Sequence, residues 1–214
     1  MNTLPKHNVS ICLVHAFCNH QAIKILKNDT NTCIADVIKD FLGTINRGNS
    51  WSDQGFKNIH HFYNPKSKKG ILGLTGADAE LINYFDQALD AYKKKATSNF
   101  FFYIGAVLHI IQDMCVPHHV FGMLLNGHKE YEDWVVNHYM DYGIDAGAQY
   151  DYTSPLEIIN SNAIKAMEYK ELMDKSDLSM RNEATRHLLG LAQKSTASFL
   201  YLCRNKIQEL TANN

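Results

Sequence analysis

The chain reads as an all-α protein, a single multi-helix domain over residues 1–214 packed around one buried central helix. Three observations predict this. The stretch from Phe100 to Ile111 is apolar on every face, which marks a helix enclosed by others. The flanking segments carry apolar residues at helical spacing. No pair of strand-like runs and no internal repeat stands against them.

Each element follows in order. Val9 to Lys27 is an amphipathic helix, with Ile11, Val14, His15, Cys18, Ala22, Ile25 and Leu26 on one face. A second helix runs from Cys33 to Ile45. Residues 46–75, with five glycines or prolines, read mostly as loop, and a loop that long in a compact domain is usually functional. Its Lys66, Lys68 and Lys69 read as solvated, and Trp51, Phe62 and Tyr63 as packing residues. The next helix starts near Thr75–Gly76 with Asp78 as a capping partner, and runs to about Ala96 on a stripe of Leu81, Tyr84, Phe85, Ala88, Leu89 and Tyr92. Asn99 reads as the cap of the central helix, and Pro117 as its stop, with His118 and His119 in the turn beyond. Further helices run from His128 to about Met140, from Pro155 at a first helical position to about Met173, and from Arg181 to Leu210.

Composition narrows the function classes. A hydrophobic share of 45% builds a sizeable core, and a net charge of −1 gives no basic face for a stable nucleic-acid partner. Five cysteines without a CxxC do not read as a disulfide framework, and Cys115 reads as a small packed residue. No stretch is long enough to span a membrane, and ICLVHAF is too short for a signal peptide.

Eleven histidines are many for this length, and most fall in four clusters with acids nearby. His109 and Asp113 lie four apart at the end of the buried helix, so both leave one face. A buried carboxylate must be paired or bound to a metal. His128 and Glu132 repeat the spacing, Asp53, His60 and His61 lie in the long loop, and His15 sits on the first apolar stripe. Imidazole and carboxylate together suit zinc. Any one pair reads as well as a core histidine bonded to an acid; four clusters point to metal.

The set His15, Trp51-Ser-Asp53, His61-Phe-Tyr-Asn-Pro, His109-x3-Asp113-x5-His119 and His128-x3-Glu132 resembles the zinc-dependent phospholipase C family. That family includes bacterial phosphatidylcholine-cleaving enzymes and the catalytic domain of clostridial alpha-toxin. The likeness runs from about residue 10 to 205. It implies the helical fold shared with S1/P1 nucleases and two to three zinc ions per chain. One would use Asp53, His61, His109 and Asp113; a second His119, His128 and Glu132; a third His15 and Asp113 with the chain's own amino terminus, Met1. Asp113 would bridge two ions, and Asp53 would be a plain ligand or would orient or deprotonate the attacking water. The implied reaction cleaves a phospholipid to diacylglycerol and a phosphorylated headgroup, by a secreted monomer in transient contact with a membrane surface. An internal location stays open.

Three departures accompany the resemblance. Relatives begin with a tryptophan that holds the third metal, where this chain has Met1-Asn2. Gln54 stands where choline-preferring relatives carry a tyrosine, so no choline pocket is recognisable. Alpha-toxin adds a C-terminal membrane-binding domain, and this chain ends with the helical part, so strong membrane engagement is not expected. Two alternatives are an S1/P1-type single-strand nuclease or 3′-nucleotidase, and a non-catalytic member stabilised by zinc. The run Asn126-Gly-His128-Lys-Glu-Tyr-Glu132-Asp-Trp134 follows the phospholipase spacing rather than the Asn-Leu-His-x-x-Trp-Asp of the nucleases.

Overall fold

The computed structural model describes residues 12–30, 32–123, 127–173 and 177–212. Eight α-helices occur among them: α1 Leu13–Asp29, α2 Ile34–Ser52, α3 Ala77–Lys93, α4 Thr97–Asp113, α5 Pro117–Phe121, α6 His128–His138, α7 Pro155–Met167 and α8 Leu178–Ala212. The only strand-like pairing among the described residues is one antiparallel bridge, Asn64 to Lys69. The all-α reading holds.

α4 is the centre. From Phe100 to Asp113 every residue but Tyr103 is buried. It packs most extensively on α2 and α3, with α7 and α8 closing other sides. The close approach of α2 and α4 depends on two glycines. A Cβ on Gly48 would fall 1.8 Å from the Phe102 carbonyl oxygen, and one on Gly105 would fall 2.0 Å from that of Ile45. The two backbones therefore touch where any side chain would wedge them apart. α1 packs on α8 and α2, and so reaches the same end of α4.

Several boundaries differ from those read in the sequence. α2 continues to Ser52 instead of stopping at Ile45. Gly48 serves close packing rather than a turn, and the extra turns carry Asn49 and end on Asp53 as C-cap. Asn99 is inside α4, whose N-cap is Ala96 with no side-chain bond. Gly76 caps α3, and Asp78 makes no capping hydrogen bond. α3 ends at Lys93, and Lys95 takes a left-handed φ of 56° in the tight link to α4. Pro117 does not merely end the central helix. It opens α5 at a first helical position, so His118 and His119 are helical. α7 stops at Met167, six residues early, and α8 begins at Leu178 rather than Arg181. Pro155 is at the first turn of α7 as read, with Ser154 Oγ accepting from Glu157 N at 3.3 Å. The expected start of the first helix at Val9 lies outside the described residues.

Candidate metal centre

The C-terminal ends of α2 and α4 meet the start of α1, the helix α5 and the first turn of α6. Three groups of possible ligands gather there, each with its donor atoms within 4.8 Å: His15, His109 and Asp113; Asp53, His61 and His109; and His119, His128 and Glu132. Eight of the nine residues singled out in the sequence thus come together. The ninth, Met1, lies outside the described residues, as does Asn2. The grouping differs in two details: His109 stands beside His15 as well as beside Asp53 and His61, and Asp113 falls in the His15 group and not in the Asp53 group. His60 does not join: it is partly exposed, and its Nδ1 meets the Thr75 carbonyl at 3.2 Å.

Asp113 is the pivot. Its Oδ2 lies 3.1 Å from His109 Nε2 and 3.0 Å from His61 Nδ1, while Oδ1 lies 3.6 Å from His15 Nε2. One oxygen thus faces one group and the other oxygen faces the next. In the third group His128 Nε2 lies 2.9 Å and His119 Nε2 3.8 Å from Glu132 Oε1, and the two ring nitrogens face each other at 3.1 Å. Asp53, at the α2 terminus, is half-exposed with Oδ1 3.8 Å from His109 Nε2. Four ligands at about 2.0–2.1 Å around a tetrahedral zinc lie roughly 3.3 Å apart. The observed spacings bracket that edge.

The electrostatics are unusual for a core. Burial works against ionising Asp113, yet the imidazoles of His109 and His119 beside it hold it well below the ordinary carboxylate range. Burial lowers His109 to about 4, so it is neutral near pH 7. Burial also opposes charging His119, but Asp113 and Glu132 together lift it to about 9. Glu132 is lowered by the same contacts, against its own desolvation.

Donor chemistry and burial fit a cation. Neither His61 nitrogen nor Asp113 Oδ2 has an aligned hydrogen bond, although all three atoms are buried. Buried polar atoms left so are rare, and an unfilled ion site is one recognised reason for them. Imidazole nitrogens with carboxylate oxygens at this spacing match the zinc donor set.

Residues outside the expected ligand set surround the centre. Asn49 and Gln112 are buried and bond to ring nitrogens of the candidate ligands. His118, also buried, stacks on His128 with rings 5.1 Å apart and 8° from parallel. The expected packing roles are seen: Trp51 rests among Tyr84, Phe102 and Tyr103, and Phe62 stacks on His119. Cys115 is a buried packed residue, its thiol pushed up by burial, and the five cysteines are unpaired.

A cavity of about 250 Å³ opens beside the centre. His15, Asp53, Asp113 and Glu132 line it. So do the apolar Val116, Val135, Leu188, Leu189 and Ala192, with Tyr131 and the half-exposed Leu13 and Val136.

The family model described as zinc dependent phospholipase C matches residues 14–188. Among solved structures, alpha-toxin of Clostridium perfringens avian strain SWCP superposes with a TM-score of 0.78 at 19% identity, over 92% of this chain and 64% of that one. Alpha toxin from Clostridium absonum gives 0.79 at 18% identity, over 95% and 65%. This chain therefore spans just under two thirds of the toxins' length, and the likeness at that identity is one of fold. Comparison with curated protein sequences found no match.

Proposed function

The chain belongs to the zinc-dependent phospholipase C family, and from that premise we propose that it is a phospholipase C that cleaves a glycerophospholipid to diacylglycerol and a phosphorylated headgroup. The observation that carries the lipid reading is the cavity. It is lined both by candidate metal ligands and by the apolar Val116, Val135, Leu188 and Leu189, so a ligand that joins a phosphate to an apolar body finds partners for each. Apart from the candidate ligand His15, a nucleotide would find one aromatic ring there, Tyr131, and no Lys or Arg among the described residues.

We assign the ligands as Asp53, His61, His109 and Asp113 for one zinc, His119, His128 and Glu132 for a second, and His15 with Asp113 and the amino terminus for a third. The number is two to three. Zinc at these positions supplies Lewis acidity that neutralises phosphate charge and lowers the pKa of a water toward 7. The chain's own residues do the rest. Asp113, ionised and buried, would serve as a ligand at two of these positions. Asp53, the most exposed acid of the set after Glu132, faces the cavity and can take the proton of the attacking water. That water adds to phosphorus, the bond to the glycerol oxygen breaks, and a proton from solvent completes the diacylglycerol hydroxyl. Leu188, Leu189 and Ala192 supply apolar lining to the cavity.

Residues 1–214 are read as one catalytic domain, a secreted monomer that touches the membrane surface only transiently. Among the described residues no helix is long and apolar enough to cross a membrane. The test uses untagged, zinc-loaded protein on short-chain phospholipids of several headgroups and on single-stranded DNA, with and without chelator. Chelator-sensitive release of phosphorylated headgroup supports the reading. DNA cleavage with lipid untouched replaces it with the nuclease. Tightly held zinc with neither activity replaces it with a structural metal protein.

A further inference from the structure

The buried amides behind the centre form a directed chain that begins at a hydroxyl. Thr196 on α8 donates its Oγ1–H to the Ala192 carbonyl at 2.7 Å. Having one proton, Oγ1 can then only accept. The Gln112 atom 2.8 Å from it must therefore be Nε2, which also reaches Asn19 Oδ1 at 2.9 Å. This turns Gln112 Oε1 toward His15 Nδ1, at 2.7 Å, and Asn49 Nδ2, at 3.3 Å. An amide oxygen cannot donate, so His15 must carry its proton on Nδ1. Asn49, having given its amino group to Gln112, presents Oδ1 to His109 Nδ1 at 3.4 Å, and His109 must donate in turn. In its neutral form each ring is left with a bare Nε2 on the side of Asp113, 3.6 Å away for His15 and 3.1 Å for His109.

We propose that Gln112 and Asn49 are positioning residues that fix the tautomers of His15 and His109 together, so that one buried amide relay prepares two adjoining metal positions from outside the ligand set. The inference rests on the metal-site reading above. Gln112 suits the task because its four partners come from three other helices, two from α1 and one each from α2 and α8, and all four of its hydrogen-bonding positions are used. Gln112, Asn49, Asn19 and Thr196 are all buried, where a lost hydrogen-bond partner is costly. The third group needs no relay, because the main chain orients His119. Partners behind a metal-bound histidine typically change metal affinity 10–100-fold when removed.

The test compares wild type with Gln112→Met, which keeps length and volume but removes both amide functions. Zinc affinities are read by competition with a chromophoric chelator. The His15 tautomer in zinc-free protein is read by long-range proton–nitrogen NMR. The wild type should show the proton on Nδ1 of His15. The variant should lose that preference and bind the ions of the His15 and His109 groups about 10–100-fold more weakly, with the His119–His128–Glu132 ion unchanged. Equal weakening of every ion, no weakening, or an Nε2–H His15 in the wild type overturns the proposal. If Gln112→Met does not fold, Thr196→Val frees the amide to turn while keeping its volume, and the same site-selective loss is expected at smaller size. A wild type that takes up no zinc refutes the metal reading instead, and the tautomer measurement still decides the relay.

Discussion

His119 donates its Nδ1–H to the main-chain carbonyl of His61, 3.1 Å away, and its own carbonyl accepts from Tyr63 N at 3.2 Å. The segment after α2 and the helix α5 thereby fix each other, and the remaining ring nitrogen of His119 faces Glu132 and His128. Without metal that nitrogen holds a second proton up to pH about 9, against an ordinary value of 6.5. The folded form is the better proton binder, so this contribution to stability is full below about pH 6.5. It is lost as pH rises through 9. Zinc must displace the same proton. Chelator-stripped protein should therefore lose thermal stability from pH 6.5 to 9, while apparent zinc affinity of this group rises up to tenfold per pH unit. Thermal melts and chelator competition across that window check both; stability that climbs with pH there would refute the assignment.

Asp113 and Glu132 are both acids four residues from a histidine on a helix, yet their substitutions should differ. Asp113 turns one oxygen to His15 and the other to His61 and His109. Asp113→Asn is expected to cost the ions of both groups and about 100-fold or more in hydrolysis. Glu132→Gln touches the third group alone and should lower metal content by about one ion per chain. Metal analysis after gel filtration distinguishes the two. Equal losses would mean that the three groups empty as a unit.

How much of this was legible in the sequence depends on which contacts are local. The pairs His109–Asp113 and His128–Glu132 lie within one helix each, so spacing alone places them on a face. The convergence of His15, Asp53 and His61 on α4 depends on how α1 and α2 cross it, which no periodicity records; the family pattern supplied it. Asn49 was lost for a definite reason. Gly48, Gly55 and the asparagines around them carry the signature of a loop, whereas Gly48 is a packing glycine inside α2. With the helix ended at Ile45, neither Asn49 nor the C-cap position of Asp53 could be seen. Gln112 left only a faint trace, as one more polar residue at the end of an apolar run. His118 and His119 were misplaced because proline stops one helix and starts another equally well.

The crossing of α2 on α4 makes the same substitution act with opposite signs at two helical glycines, one on each helix. Gly105→Ala drives a Cβ into the Ile45 carbonyl and has backbone, not a flexible side chain, to displace. A loss of about 3 kcal/mol is expected, with weaker zinc at the Asp53–His61–His109 group as α2 is pushed away. Gly43, in α2, has nothing within 4 Å of the added Cβ. There alanine should stabilise by about 0.5–1 kcal/mol through helix propensity alone. Urea denaturation of the two variants beside wild type gives both signs in one experiment.

The cavity predicts that acyl chains matter to rate separately from the phosphodiester. Leu13 and Val136 line it with 55% and 42% of their surface exposed, so polar replacements there should leave the fold intact. Replacing both by serine removes about five carbons from a wall against which the apolar part of the substrate would rest, at up to about 0.8 kcal/mol for each one fully buried. Partial exposure reduces that, and a fall of about tenfold in kcat/KM is expected on a short-chain phospholipid. The deacylated glycerophosphodiester has nothing to place against that wall, and its slower hydrolysis should not change. Zinc content should not change either, since neither residue is a ligand. A loss shared equally by the two substrates would show that the substitutions act on the metal centre, and an undiminished rate on lipid would place the acyl chains elsewhere.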